Sequence, residues 1–375
     1  MRLTSLRLTN FRNFADQRLD FPARGVAIVG DNGQGKTNLL EGIYYLEIFR
    51  SFRGAADEQL VRFSEEVFRI EGRVASEGRD GVVAAAYDRK QKKKKVFING
   101  VEPPRLGDGL GQIGVVVFSP SDVEIVGGGP ALRRRFLDIV LSLTEPRYLE
   151  HLQRYRQILL RRNSLLRRGA PHPEVAAWDP GLVQTGARLV AARDAWIRAH
   201  AAAFGAHVRA IAATDDALLE YESSVTIDRA GTGPEAIPEL FTEQLARVRE
   251  REVRRGSTLV GPHRDDLRIR ATTATGGDYI DLRTFGSGGQ QRTAAVALRM
   301  IEAETLHERL GSEPIILLDD VFAELDVGRS RRILEWVEAE ENAQVILTAP
   351  KSADFELRGE SLPLWQISAG TVSAL

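Results

Sequence analysis

A short apolar run, Val26-Ala27-Ile28-Val29, leads directly into Gly30-Asp31-Asn32-Gly33-Gln34-Gly35-Lys36-Thr37 and then into a helical stretch, Asn38 to Phe49. Nothing else in the chain limits its fold as much. A continuous apolar strand of this length belongs inside a parallel sheet. Strand, loop and helix in this order give the G-x-x-x-x-G-K-[ST] phosphate loop its proper context. The glycines let the backbone curl so that its N–H groups point inward, and the helix start adds a positive dipole end. Lys36 is expected to reach the terminal phosphates and the Thr37 hydroxyl to ligate Mg²⁺. The candidate ligand is therefore a nucleoside triphosphate.

Two later segments complete this reading. Ile315 to Leu318 is a second apolar strand and ends in Asp319-Asp320. A carboxylate at such a strand end forms the other half of a phosphate-loop site. Asp319 is expected to hold Mg²⁺, and Asp320 to polarise the attacking water. Upstream, Ser287-Gly288-Gly289-Gln290 precedes a helical pattern, Thr293 to Leu310. A hydroxyl, bare backbone N–H groups and a helix start make a second anion-binding element. Together these suggest a composite nucleotide site.

The order of these motifs resembles an ABC-type ATPase head. Finer details resemble the RecF family of the SMC/Rad50-like branch: Leu8-Thr9-Asn10-Phe11-Arg12-Asn13-Phe14, the loop and helix start from Gly30 through Glu41, Phe118-Ser119-Pro120-Ser121-Asp122, Arg133-Arg134-Arg135-Phe136-Leu137-Asp138, Gly261-Pro262-His263-Arg264-Asp265-Asp266, and Leu317 through Asp326. The resemblance implies residue roles. Lys36, Thr37, Asn38 and the rest of the loop bind ATP, Asp319 is the Walker B carboxylate, and Asp320 stands where ABC enzymes usually carry Glu. Ser287, Gly288, Gly289 and Gln290 cap the nucleotide of a second copy, Asp326 ends the loop crossing that interface, and Arg12 lies near the phosphates. It further implies a cytoplasmic, nucleoid-associated DNA-repair ATPase that is slow and DNA-stimulated. Such a protein dimerises on ATP at single-strand gaps or single/double-strand junctions, and works with RecO and RecR to load RecA. Leu347-Thr348-Ala349-Pro350 lacks the usual switch histidine, which leaves Thr348 as the substitute. A transporter's nucleotide-binding subunit is the first alternative, although there the signature follows the phosphate loop more closely. A structural DNA tether that does not switch on hydrolysis is the second.

The remaining sequence organises the chain around this site. The expected fold is an α/β head of residues 1–125 and 258–375, with a mainly helical insertion at 126–257. The absence of cysteine among the 375 residues excludes disulfides, thiol catalysis and a zinc hook. No sustained heptads predict a long coiled coil, and the most apolar helical stretch, Ala187 to Phe204, is broken by charges too often to cross a bilayer. The net charge of -1 hides polarity: residues 131–170 hold ten Arg against three acids, and 311–342 nine acids against three Arg. Arg147, Arg154, Arg161 and Arg168 recur every seven residues, and Arg247, Arg251, Arg254 and Arg255 form a similar row. Either row suits DNA phosphates or a solvated helix face. The Lys92–Lys95 run reads as a hairpin loop or a DNA contact. His263, one of six scattered histidines, reads as part of a structural loop.

Overall fold

A computed structural model describes residues 1–76, 79–213, 216–226, 233–272, 277–320, 327–339, 343–350 and 362–375. The chain forms two compact units, residues 1–123, 210–212 and 295–375 in the first, and 124–209 and 213–294 in the second.

The first unit carries two sheets. Strands β1 (Arg2–Phe11), β2 (Phe14–Asp20), β4 (Val67–Ser76), β5 (Arg79–Asp88) and β6 (Lys93–Ile98) form an antiparallel sheet in the order β2-β1-β4-β5-β6. Their alternating burial, as in β4, is that of a sheet with one wet face. Of the lysine run only Lys92 lies in the hairpin turn; Lys93 to Lys95 belong to β6, and Lys94 turns inward over the Tyr45 ring to bond Asp57 at 2.8 Å. A lysine stem can line an apolar surface while its ammonium finds a partner.

The other sheet is built from β3 (Gly25–Val29), β7 (Val115–Phe118), β11 (Ile315–Asp319), β12 (Val345–Ala349), β13 (Leu364–Ser368) and β14 (Thr371–Ala374), in the order β14-β13-β3-β12-β11-β7. All its pairings are parallel except β13 with β14. Strands β3, β7, β11 and β12 are buried along their whole length, as their unbroken apolar runs require. Helix α1 (Lys36–Ile48) is buried from Leu39 to Ile48 because it contacts both sheets. Its approach to β4 depends on Gly72, where a Cβ would stand 2.5 Å from Leu46.

The second unit is mainly helical: α2 (Pro130–Thr144), α3 (Tyr148–Arg167), α4 (Asp179–Ala212, whose last three residues count with the first unit) and α5 (Ile237–Arg255). Helix α3 buries Tyr148, Leu152, Tyr155, Ile158, Arg162 and Leu166. The unit starts close to the expected residue 126 but runs on to Ala294, within α6 (Gly288–Leu310). The reason is a three-stranded sheet, β10-β9-β8, in which β9 (Asp266–Thr272) joins β8 (Ala217–Glu222) to β10 (Tyr279–Asp281). Among the described residues the last long helix is α7 (Val327–Ala339).

Candidate nucleotide site

Parallel strands deliver their C-terminal ends to one edge of a sheet, where α/β proteins place ligands. Here β12 lies between β3 and β11. The phosphate loop leaves β3, Asp319 ends β11, and the register sets Thr348 of β12 directly beside Asp319. The Asp319 carboxylate accepts hydrogen bonds from Thr37 Oγ1 at 2.9 Å and from Thr348 Oγ1 at 3.1 Å. Burial pushes its pKa up to about 6, the neighbouring Asp320 adds to the rise, and the Thr37 and Thr348 bonds oppose it.

Lys36 is buried and folds back over its own loop, donating to the Gly30 carbonyl at 2.7 Å. Its ammonium also lies 3.8 Å from the Asp320 carboxylate. Asp320 has a left-handed φ of 47°, a strained geometry for a non-glycine residue. Its backbone N–H reaches Thr348 Oγ1 at 3.2 Å.

The loop is braced from outside. Asn13 donates to the Gln34 carbonyl at 2.8 Å and accepts from Asn38 Nδ2 at 2.9 Å. A Cβ on Gly35, whose φ is 118°, would collide with the Asn13 amide at 2.5 Å. The Gln34 side chain accepts from Ala369 N–H at 2.6 Å. Gly30 touches the Ile367 carbonyl so closely that no side chain fits, while Asp31, Asn32 and Gly33 are exposed. Arg12 grips buried Glu41 of α1 through two bonds, 2.7 and 2.9 Å. Ser51 shares that carboxylate at 2.5 Å.

The signature residues belong to the second unit. Ser287 Oγ accepts from the Gln290 N–H at 3.2 Å, and the Gln290 side chain accepts from the Ser287 N–H at 3.1 Å. This is a reciprocal capping box at the start of α6. Ser287 and Gly288 are exposed, and Gly289 and Gln290 half-buried. Gln290 is steadied by the Thr272 carbonyl at 3.3 Å. Asp326 lies outside the described residues.

Comparison with known proteins places this arrangement. The RecF/RecN/SMC N-terminal domain family matches residues 2–362. The chain is 36% identical over 363 residues to the DNA replication and repair protein RecF of Salinibacter ruber, covering 95% of this chain and 86% of that one. It is 35% identical to RecF of Geobacillus kaustophilus over the full length of both. The chain belongs to the RecF family. A solved structure of the recombination mediator RecF with ATP, in the RecFOR pathway, superposes with a TM-score of 0.88 at 32% identity, covering 100% of this chain and 97% of the other. A Smc head bound to the C-terminal winged-helix domain of ScpA shares the fold, with a TM-score of 0.58 at 14% identity.

Within this RecF-family site, Thr37 and Asp319 are hard oxygen donors set side by side. Mg²⁺ suits such a site, since it is usually held by one or two carboxylates together with substrate phosphates. Two residues at this site carry no role in the sequence reading. Arg53, after α1, bonds Asn38 at 3.2 Å, and its charge draws the Asp319 pKa down. Glu41 fixes Arg12. The signal for both was charge beside an otherwise apolar helix.

The Gly261–Asp266 loop proves to be a packing hub of the second unit. Arg193 donates to the Pro262 carbonyl at 2.7 Å and to Asp138 at 2.8 Å. Asp265 accepts from Ser224 N–H and Oγ, each at 2.7 Å, and from Tyr221. His263 bonds Tyr155 at 2.6 Å, and burial lowers its pKa to about 4.

Proposed function

We propose that this chain is an ATP-dependent DNA clamp of recombinational repair, which hydrolyses ATP slowly and faster on DNA. The observation that carries the reading is the convergence of Thr37, Asp319 and Thr348 beside Lys36 and Asp320. A triphosphate in the loop would receive the inward N–H groups of residues 30–37 and draw Lys36 off the Gly30 carbonyl. Mg²⁺, held by Thr37 and Asp319, would supply charge neutralisation across the phosphates. Asp320 would orient water toward the γ-phosphate and accept its proton. Its side chain is one methylene shorter than the usual Glu, which fits slow turnover.

The capping box leaves Ser287 and the Gly288 and Gly289 N–H groups for the γ-phosphate of a second copy's nucleotide, with Asp326 part of the same contact. ATP then bridges two chains and favours the dimer because it binds the dimer better than the monomer. Loss of the γ-phosphate releases it. RecF relatives are described as recombination mediators of the RecFOR pathway, and gapped or junction DNA, RecO and RecR are the partners this reading assigns, with RecA served indirectly. Sedimentation of the full chain with ATP, with ADP and with neither tests it. Dimers with ATP alone are expected, and identical behaviour in all three conditions contradicts the switch.

A further inference from the structure

Two helices of the second unit end in the same tripeptide. Helix α3 closes with Arg167-Arg168-Gly169, and α5 with Arg254-Arg255-Gly256. Both glycines are left-handed, with φ of 66° and 65°, the conformation that stops a helix. The structure brings the two ends together. A Cβ on Gly256 would lie 3.3 Å from Arg167 Cγ. One turn back, Arg162 bonds Glu252 at 2.7 Å, and Asn163 accepts from the Thr258 N–H at 2.7 Å. Four exposed arginines therefore share one tip.

Cations at a helix C-terminus are favoured by the dipole, but here the positive charge extends far beyond the last turn. Arg154 and Arg161 of α3 and Arg251 of α5 are exposed as well. The nearby acids are few. Glu252 is buried on Arg162, Asp179 is shared by Arg162 and Arg249, Glu174 meets Arg168 at 3.1 Å, Glu243 meets Arg247 and Glu150 meets Arg147 away from the tip, and Glu250 is exposed. From Arg154 to Arg168 the helix rises about 21 Å, an axial length over which B-DNA presents roughly twelve phosphates. Guanidinium forks match phosphate oxygens in pairs. A protein partner would call for apolar anchors among the arginines; α3 and α5 offer two large exposed ones, Leu160 beside Arg161 and Arg167 and Val253 beside Arg254, against these seven exposed arginines.

We infer that the paired Arg-Arg-Gly ends, together with the Arg154–Arg161–Arg168 row, grip the phosphate backbone of duplex DNA without reading its sequence. This inference rests on the DNA-clamp reading above.

The test titrates the full chain, with ATP, against a short blunt duplex of arbitrary sequence at several salt concentrations. In one variant Arg167 and Arg168 become Gln, in a second Arg254 and Arg255 do, and a third combines all four. Each pair should lower the slope of log affinity against log salt by about one to two, and the combined variant should bind at least about tenfold more weakly at low salt. Arg→Lys at the same positions should keep most of the slope. A control changing Arg2, Arg18, Arg69 and Arg73 to Gln removes equal charge from the exposed face of the antiparallel sheet and should bind nearly as the parent does. Nucleotide affinity and melting temperature should not move. If the parent binds and the combined variant matches it, or if the control loses as much, the grip is overturned while the clamp reading stands. If the parent itself does not bind the blunt duplex, the grip is overturned; the clamp reading fails only if a gapped duplex, titrated alongside with ATP, is not bound either.

Discussion

The phosphate loop and the signature are both anion-binding helix starts, yet they are built differently. The loop is closed upon itself. Lys36 is occupied by the Gly30 carbonyl, Thr37 by Asp319, and the backbone is braced by Asn13 and Ala369. The signature is held by its own capping box and by one bond from Gln290 to the Thr272 carbonyl, and it leaves Ser287 and Gly288 exposed. A site with internal partners for each functional group can be ordered before its ligand arrives. An exposed cap with spare N–H groups has its use only when something is brought to it. The contrast fits one element that binds nucleotide and another that receives it from a second chain.

The largest expected effect comes from Lys36→Met. It should reduce ATP affinity at least about a hundredfold, the loss of a buried cation facing phosphates, and with it ATP-dependent dimers; equilibrium nucleotide binding and sedimentation measure both. Ser287→Arg should separate the two regions, leaving monomer nucleotide affinity intact while dimers disappear. If affinity fell in parallel, the signature would act on its own chain's nucleotide. Asp320→Asn should slow hydrolysis by about ten- to a thousandfold, in the range of lost general-base catalysis, and long-lived dimers should accumulate. Unchanged single-turnover rates would remove Asp320 from the chemistry.

The smallest effect sharpens the comparison by showing that the second unit also has a packed interior. His263 folds neutral, its pKa lowered by burial to about 4. The unfolded chain takes up that proton near pH 6.5, so stability should be flat above about pH 6.5 and fall as pH drops toward 4, by at most about 3 kcal/mol. Denaturant melts of the parent and of His263→Gln should show the parent alone losing this increment. Identical pH slopes would mean that His263 protonates freely in the fold.

Much of the first unit was legible because its signals are local. An unbroken apolar run such as Ile315–Leu318 identifies a buried strand, and a glycine-rich motif after Val26–Val29 identifies the loop. What remained hidden depends on which strands become neighbours. Nothing local says that β12 separates β3 from β11, yet that order is what sets Thr348 on Asp319. Sheet β8–β10 was missed although Leu267, Ile269 and Ala271 alternate with Arg268 and Arg270, because β8 lies far from β9 in sequence and β10 has only three residues. Arg12 was placed near the phosphates by resemblance. Its bond to Glu41 could not be read, since both residues look like surface charges until α1 is enclosed by two sheets.

The central claim is that two chains share each nucleotide, and mixing tests it most directly. Lys36→Met keeps an intact signature, and Ser287→Arg keeps an intact phosphate loop. Neither should associate alone in ATP, but the mixture should form ATP-dependent heterodimers, each with one complete site. A mixture that stays monomeric, while the parent chain dimerises under the same conditions, would contradict the account.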